Sequence, residues 1–147
     1  MEDEASISFG PLKIWIEGRQ FPESKDYWDA NWLMTTAECV GKGSSVKADG
    51  PFLHLGELKY WKDNLEAFHK TLKGRVELPT AEPTLKIKIM EQKPEMGHFL
   101  CEIEFTGDYL NEVHKFIFQA DQSYIPSLLN QLNTVLRNYP IVGKQKL

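Results

Sequence analysis

From Leu85 to Phe118 the apolar residues fall on every second position, and this constrains the fold more than any other feature. "TLKIKIM" sets Leu85, Ile87 and Ile89 against Lys86 and Lys88. "HFLCEIEFTG" sets Phe99, Cys101, Ile103 and Phe105 against Glu102 and Glu104, and "VHKFIFQ" sends Phe116 and Phe118 one way. Period two places one face of each segment in a core and the other in water, which is the habit of antiparallel strands. The links "EQKPEMG" and "TGDYLNE" are short enough for hairpins. Upstream, "LKIWIEG" puts Leu12, Ile14 and Ile16 on one side. "NWLMTTAECV", "GKGSS" and "VKADGPFLH" together predict a hairpin with a bulge near Asp49-Gly50.

Two segments break the period. From Glu57 to Lys73, apolar residues at Leu58, Trp61, Leu65, Phe68 and Leu72 draw one stripe on a helix, and Gly74 is placed for a left-handed C-terminal cap. After "DQSYIP", residues Ile125, Leu128, Leu129, Leu132, Val135 and Leu136 make a second apolar face. Asp121 or Ser123 serves as N-cap, Pro126 is tolerated in the first turn, and Asn138 and Pro140 end the helix. Strands, helix, three strands, helix is not the alternation that right-handed parallel crossovers need. The expectation is an α+β fold: a curved, mainly antiparallel sheet of about six or seven strands with two helices packed on one face. Length fits a single domain, 1–147, with a short acidic segment at 1–6 and a basic tail at 140–147.

Charge narrows the classes of function. Residues 1–30 carry seven acids and three bases, whereas residues 31–147 carry fourteen of each, so the whole excess of −4 precedes Asn31. No Lys/Arg block offers the phosphate-neutralising surface that nucleic-acid binding requires. No apolar run approaches the roughly 18 residues of a membrane helix, and "MEDEAS" does not open like a secretory signal. A cytoplasmic protein without nucleic-acid or membrane partners is expected. Cys39 and Cys101 lie in strand-like runs and read as free, buried thiols.

Candidate chemistry is thin. "GKGSS" lacks the spacing and the following helix of a phosphate loop. Asp49 with Glu57 and Lys59 imitates a nuclease arrangement, but on a helix Glu57 and Lys59 diverge by about 200°; Glu57 alone can oppose the helix dipole. His98 and Cys101, three apart in a strand, point to opposite faces, and His54, His69 and His114 lack a second ligand at usable spacing. Glu102 and Glu104 share a strand face about 7 Å apart. They suit a glycosidase pair or, more ordinarily, a solvated row answered by Lys86 and Lys88. No catalytic residue, cofactor or metal is expected.

"DYWDANWL" (Asp26–Leu33) concentrates aromatic and polar side chains. Leu33, Ala37 and Cys39 form the core-like set of the strand that begins at Trp32, and Trp28 lies before it, where a ring can plug an open core end. Asp26, Asp29 and Asn31 can satisfy loop backbone groups through Asx turns. The alternative is a small-ligand platform built on Tyr27, Trp28 and Trp32.

The motif Trp28, Asp29, Asn31, Trp32, Leu33, followed far downstream by Asp121, Ser123, Tyr124, Ile125 and Pro126, resembles the wall-associated-protein immunity (WapI-type) family over roughly residues 26–137. The resemblance implies a bacterial cytoplasmic antidote, not an enzyme. It would bind and neutralise the toxic C-terminal domain, often a nuclease, of a secreted or wall-associated toxin, its cognate partner. Nuclease clefts are positive, so Glu23, Asp26 and Asp29 are the expected partner-binding residues.

Overall fold

The computed structural model describes residues 4–145. Eight strands form two four-stranded antiparallel sheets, each ordered as its strands follow in the chain. The first sheet holds β1 (Ile7–Phe9), β2 (Leu12–Arg19), β3 (Trp32–Val40) and β4 (Ser45–His54). The second holds β5 (Arg75–Glu77), β6 (Leu85–Glu91), β7 (His98–Phe105) and β8 (His114–Asp121). A one-turn helix, α1 (Tyr27–Ala30), precedes β3; α2 (Leu55–His69) joins the sheets; α3 (Tyr124–Asn138) follows β8.

The α+β class stands, while the single sheet of six or seven strands is corrected to two sheets with eight strands. Periodicity reports which face of a strand is buried, not which strand lies beside it. The 15 residues of α2 carry the chain roughly 22 Å between β4 and β5, so the second meander starts away from the first. β1 and β5, three residues each, are too short to show a period.

The expected alternation is otherwise realised. Leu12 and Ile14, Leu33, Ala37 and Cys39, Leu85, Ile87 and Ile89, and Phe99, Cys101, Ile103 and Phe105 all lie in one continuous core. Glycines bring the two sheets together: a Cβ on Gly10 (φ +57°) would overlap the Phe118 ring, and one on Gly41 would lie 3.1 Å from Phe116. The β3–β4 hairpin turns at Gly41–Ser44, where the Gly41 N–H donates to the Ser44 carbonyl at 2.9 Å. Its register slips between Leu33↔Leu53 and Thr35↔Gly50, so the extra residue of the bulge lies just beyond Gly50 on β4.

The stripe of α2 is buried as expected at Leu58, Trp61, Leu65 and Phe68. Trp61 meets Phe9 edge-on at 6.4 Å, and Phe68 meets Phe99 at 5.7 Å. The end of this helix needs correction: it stops at His69 rather than Lys73. Leu72 takes a left-handed conformation (φ 58°), with its N–H bonded to the Phe68 carbonyl, and Gly74 (φ +89°) turns the chain into β5. A non-glycine residue there costs about 1–2 kcal/mol, and burial of the Leu72 side chain offsets this. On α3, Ile125, Leu128, Leu132 and Val135 are buried and the helix ends at Asn138. No helix among the described residues is long and apolar enough to cross a membrane.

Candidate partner-binding surface

Asp26 caps α1 in the way its residue type favours. Its backbone is extended (φ −75°, ψ 133°), and Oδ2 accepts from the N–H groups of Trp28 (3.1 Å) and Asp29 (3.2 Å). The turn is fixed further by Asn31, which is wholly buried. Asn31 Nδ2 donates to the carbonyls of Tyr27 (2.7 Å) and Val142 (2.9 Å). Its Oδ1 accepts from Val142 N–H (2.9 Å) and Arg19 Nη1 (3.3 Å). Arg19 also donates to the carbonyls of Ala30 and Pro140. One amide thus uses all four hydrogen-bonding positions, pinning residues 140–142 of the basic C-terminal segment to the start of β3. Positions 146 and 147 of that segment, and 1–3 of the acidic one, lie outside the described residues.

The rings of the motif converge on His54, which ends β4 and is buried. Tyr27, Trp28 and Trp32 lie 5.1, 5.2 and 5.0 Å from its imidazole, centroid to centroid. His54 is the N-cap of α2: Nδ1 accepts from Gly56 N–H at 3.0 Å, and Glu57 Oε1 accepts from His54 N–H at 3.1 Å, a reciprocal capping box. Because Nδ1 accepts, the ring proton resides on Nε2, which donates to the Trp28 carbonyl at 3.2 Å. Burial holds the imidazole below its ordinary pKa, partly opposed by the ring's hydrogen bonding to the backbone of Tyr27 and Trp28, which favours the protonated form. Glycine at 56 leaves room for Tyr27, whose hydroxyl a Cβ there would overlap. The sequence signal for this centre is His54 three residues before Glu57, a weak one because His is not a habitual cap.

The space between the three rings is therefore filled by the protein's own imidazole. Trp28 does not plug the core: its residue is 50% exposed, and the indole that fills the core is that of Trp61. Phe21 is likewise exposed, and so are Glu23, Asp26 and Asp29 in the same segment. The result is an exposed aromatic surface in a segment that also exposes three carboxylates and the ammonium of Lys25.

The other candidates fall elsewhere. Asp121 Oδ1 accepts from the N–H and hydroxyl of Ser123, which lowers its pKa. Ser123 occupies the N-cap position of α3 without a side-chain cap bond. Tyr124 packs edge-on to Phe9 at 6.4 Å, Ile125 is buried, and Pro126 stands exposed in the first turn. No hydrogen bond or ring contact among the described residues joins this motif to Trp28–Leu33.

Glu102 and Glu104 lie opposite Lys88 and Lys86 in register, but their ion pairs go to Lys115, at 3.4 and 3.5 Å. Those two acids raise the Lys115 pKa. The row is a solvated charge ladder on the outer sheet face, where water screens each pair. Glu57 accepts from His54 N–H and, through Oε2, from Ala81 N–H at 2.7 Å. Its role is the capping one expected for an acid at a helix start. His98 is partly exposed and bonded to Gln119 (3.1 Å), while Cys101 is buried on the other face. Both cysteines are free and buried, with burial pushing their thiols up to about 12.

No curated protein and no solved structure matches the chain. A family profile does: residues 5–140 match that of the immunity protein WapI-like family, a span that includes both motifs and every strand and helix among the described residues. The chain belongs to the immunity protein WapI-like family.

Proposed function

We propose that this protein is a cytoplasmic antidote that binds and neutralises the toxic C-terminal domain of a secreted or wall-associated bacterial toxin. It does so by covering the toxin's active cleft and catalyses nothing itself. The observation that supports the reading, beside family membership, is the half-exposed indole of Trp28 held over His54 in a segment that also exposes Glu23, Asp26 and Asp29. A large aromatic side chain that costs little entropy to dock, in a segment where three exposed acids outnumber the one exposed base, Lys25, has the composition of a binding hot spot for a basic partner. A toxin of the nuclease type presents such a surface, because its cleft must hold phosphate. The acids would speed encounter and then occupy phosphate positions. The partner is a protein; neither nucleic acid nor membrane has a role.

The test is co-expression with the C-terminal domain of the toxin encoded beside this chain, followed by kinetics of the purified pair. Co-elution and loss of toxin activity are expected. In the triple variant Glu23→Gln, Asp26→Asn, Asp29→Asn, association should slow roughly 10-fold or more at low salt and lose most of its salt dependence. Asparagine keeps the cap at position 26. Separate elution of the two proteins, or an association rate indifferent to both salt and the triple variant, would overturn the reading.

A further inference from the structure

The two sheets end in four edge strands, β1, β4, β5 and β8, and three of these are closed against further pairing. β1 and β5 are three residues long, and the Ser8 N–H of β1 donates to Gln131 Oε1 of α3 at 2.6 Å. β4 carries Pro51 and the bulge beside Gly50, and Gly107 crowds its backbone, since a Cβ there would lie 3.0 Å from the Lys47 carbonyl oxygen. Short length, proline, bulges and cover are the means by which natural sheets avoid adding strands. β8 has none of them. It runs for eight residues in unbroken register with β7 and without proline. The Gln122 N–H donates to the Gly97 carbonyl at 2.8 Å, and bonded and unbonded pairs alternate along the ladder from there. Lys115, Ile117, Gln119 and Asp121 therefore turn their N–H and C=O groups away from β7. No hydrogen bond among the described residues reaches those backbone groups.

What such an edge accepts is an extended strand with an open edge of its own. Among the described residues β8 is the edge of that kind, and every copy of the chain carries it. Its outer face is also arranged to meet itself reversed. Lys115 stands near one end and Asp121 at the other, with Ile117, 61% exposed, and Gln119 between them. An antiparallel pair centred on Phe118 sets Lys115 opposite the partner's Asp121 and Ile117 opposite the partner's Gln119. All four have outward backbone groups, so each pair can exchange two hydrogen bonds. Lys115 already bridges Glu102 and Glu104, and Asp121 Oδ1 is held by Ser123. What the reversal secures is that no like charges meet. On the inner face Phe116 and Phe118 pack on the core yet are only half-buried. The added strand covers their open flank, setting Phe118 against the partner's Phe118 and Phe116 against the partner's Ala120.

We infer that β8 pairs antiparallel with β8 of a second copy across a twofold axis at Phe118, joining a four-stranded sheet of each copy into one continuous sheet. This does not rest on the toxin-binding reading. The test is sedimentation of the full chain over a concentration series, with amide exchange followed residue by residue by NMR. Wild type should sediment as a dimer. Its Ile117 and Gln119 amides should exchange as slowly as those of Phe116 and Phe118, which β7 protects in any case. Gln119→Pro removes an outward N–H and leaves the bonds to β7 intact. Ile117→Lys puts a charge beside the axis at an exposed position and decides the matter if the proline variant does not fold. Each should raise the dimer Kd roughly 30-fold or more with circular dichroism unchanged. A wild type that stays monomeric at NMR concentration overturns the inference. So does a dimer that Ile117→Lys leaves intact, or one whose Ile117 and Gln119 amides exchange freely. A monomer in which those two amides slow only when the neighbouring toxin's C-terminal domain is added would give the edge to the toxin, and also overturn it.

Discussion

Replacing Asn31 with alanine removes a side chain whose four hydrogen bonds lie inside the fold and join β2, α1 and the C-terminal strap. At about 0.5–1.5 kcal/mol net for each bond, the gross loss is roughly 2–6 kcal/mol. Two of the bonded groups, the N–H and C=O of Val142, belong to a partly exposed segment and can turn to water once the strap lets go. The Tyr27 carbonyl and the Arg19 guanidinium keep less freedom to do so. Asn31→Ala should therefore cost about 3 kcal/mol, which for a chain of this size lowers Tm by about 10 °C. Calorimetry and urea unfolding measure it directly. A double-mutant cycle with a chain ending at Tyr139 isolates the strap. With residues 140–147 gone, the substitution should cost about 1.5 kcal/mol less. A cost below about 1 kcal/mol, or one unchanged in the shortened chain, would refute the role given to this amide.

Three further substitutions follow from the same centre and from the core. The depressed His54 pKa means that the unfolded chain binds a proton first, so this residue's contribution is complete above its ordinary value of 6.5 and is lost as pH falls from there toward the folded value. His54→Asn, which keeps a cap without a titrating ring, should narrow its stability gap to wild type between pH 7.5 and 5.5 in urea titrations; a constant gap would contradict this. Glu57, raised by burial, works in the opposite sense as pH falls toward its ordinary value of 4.5. Gly56→Ala should destabilise by about 1–2 kcal/mol despite alanine's better helix propensity, and Tyr27→Phe in the same chain should recover part of that in thermal melts. Trp61 Nε1 is buried without an acceptor among the described residues. Trp61→Phe exchanges some packing for relief of that orphan donor and should stay within about 1 kcal/mol of wild type, against about 3–5 kcal/mol for Trp61→Ala.

The local elements were legible because their signals are local. Leu85, Ile87 and Ile89 declare a buried face two residues at a time, and Leu58 to Phe68 declare a helix stripe within a single segment. What joins segments was not legible. Nothing in "NWLMTTAECV" or "TLKIKIM" says that they belong to different sheets, since pairing is decided by where α2 delivers the chain. The aromatic motif misled for a related reason: Tyr27, Trp28 and Trp32 are organised by His54, more than twenty residues later, so their spacing cannot reveal which indole is wet. One signal was present all the same: His54 and Glu57 have capping-box spacing.

The most direct test of a protein that acts through its exterior is a hydrogen-exchange footprint of the complex with the neighbouring toxin's C-terminal domain. Slower exchange on binding is predicted at residues 21–29. Protection confined to α3 and the hollow that Ser6, Asn130 and Thr134 line beside it would contradict the account, as would a footprint that leaves residues 21–29 unchanged.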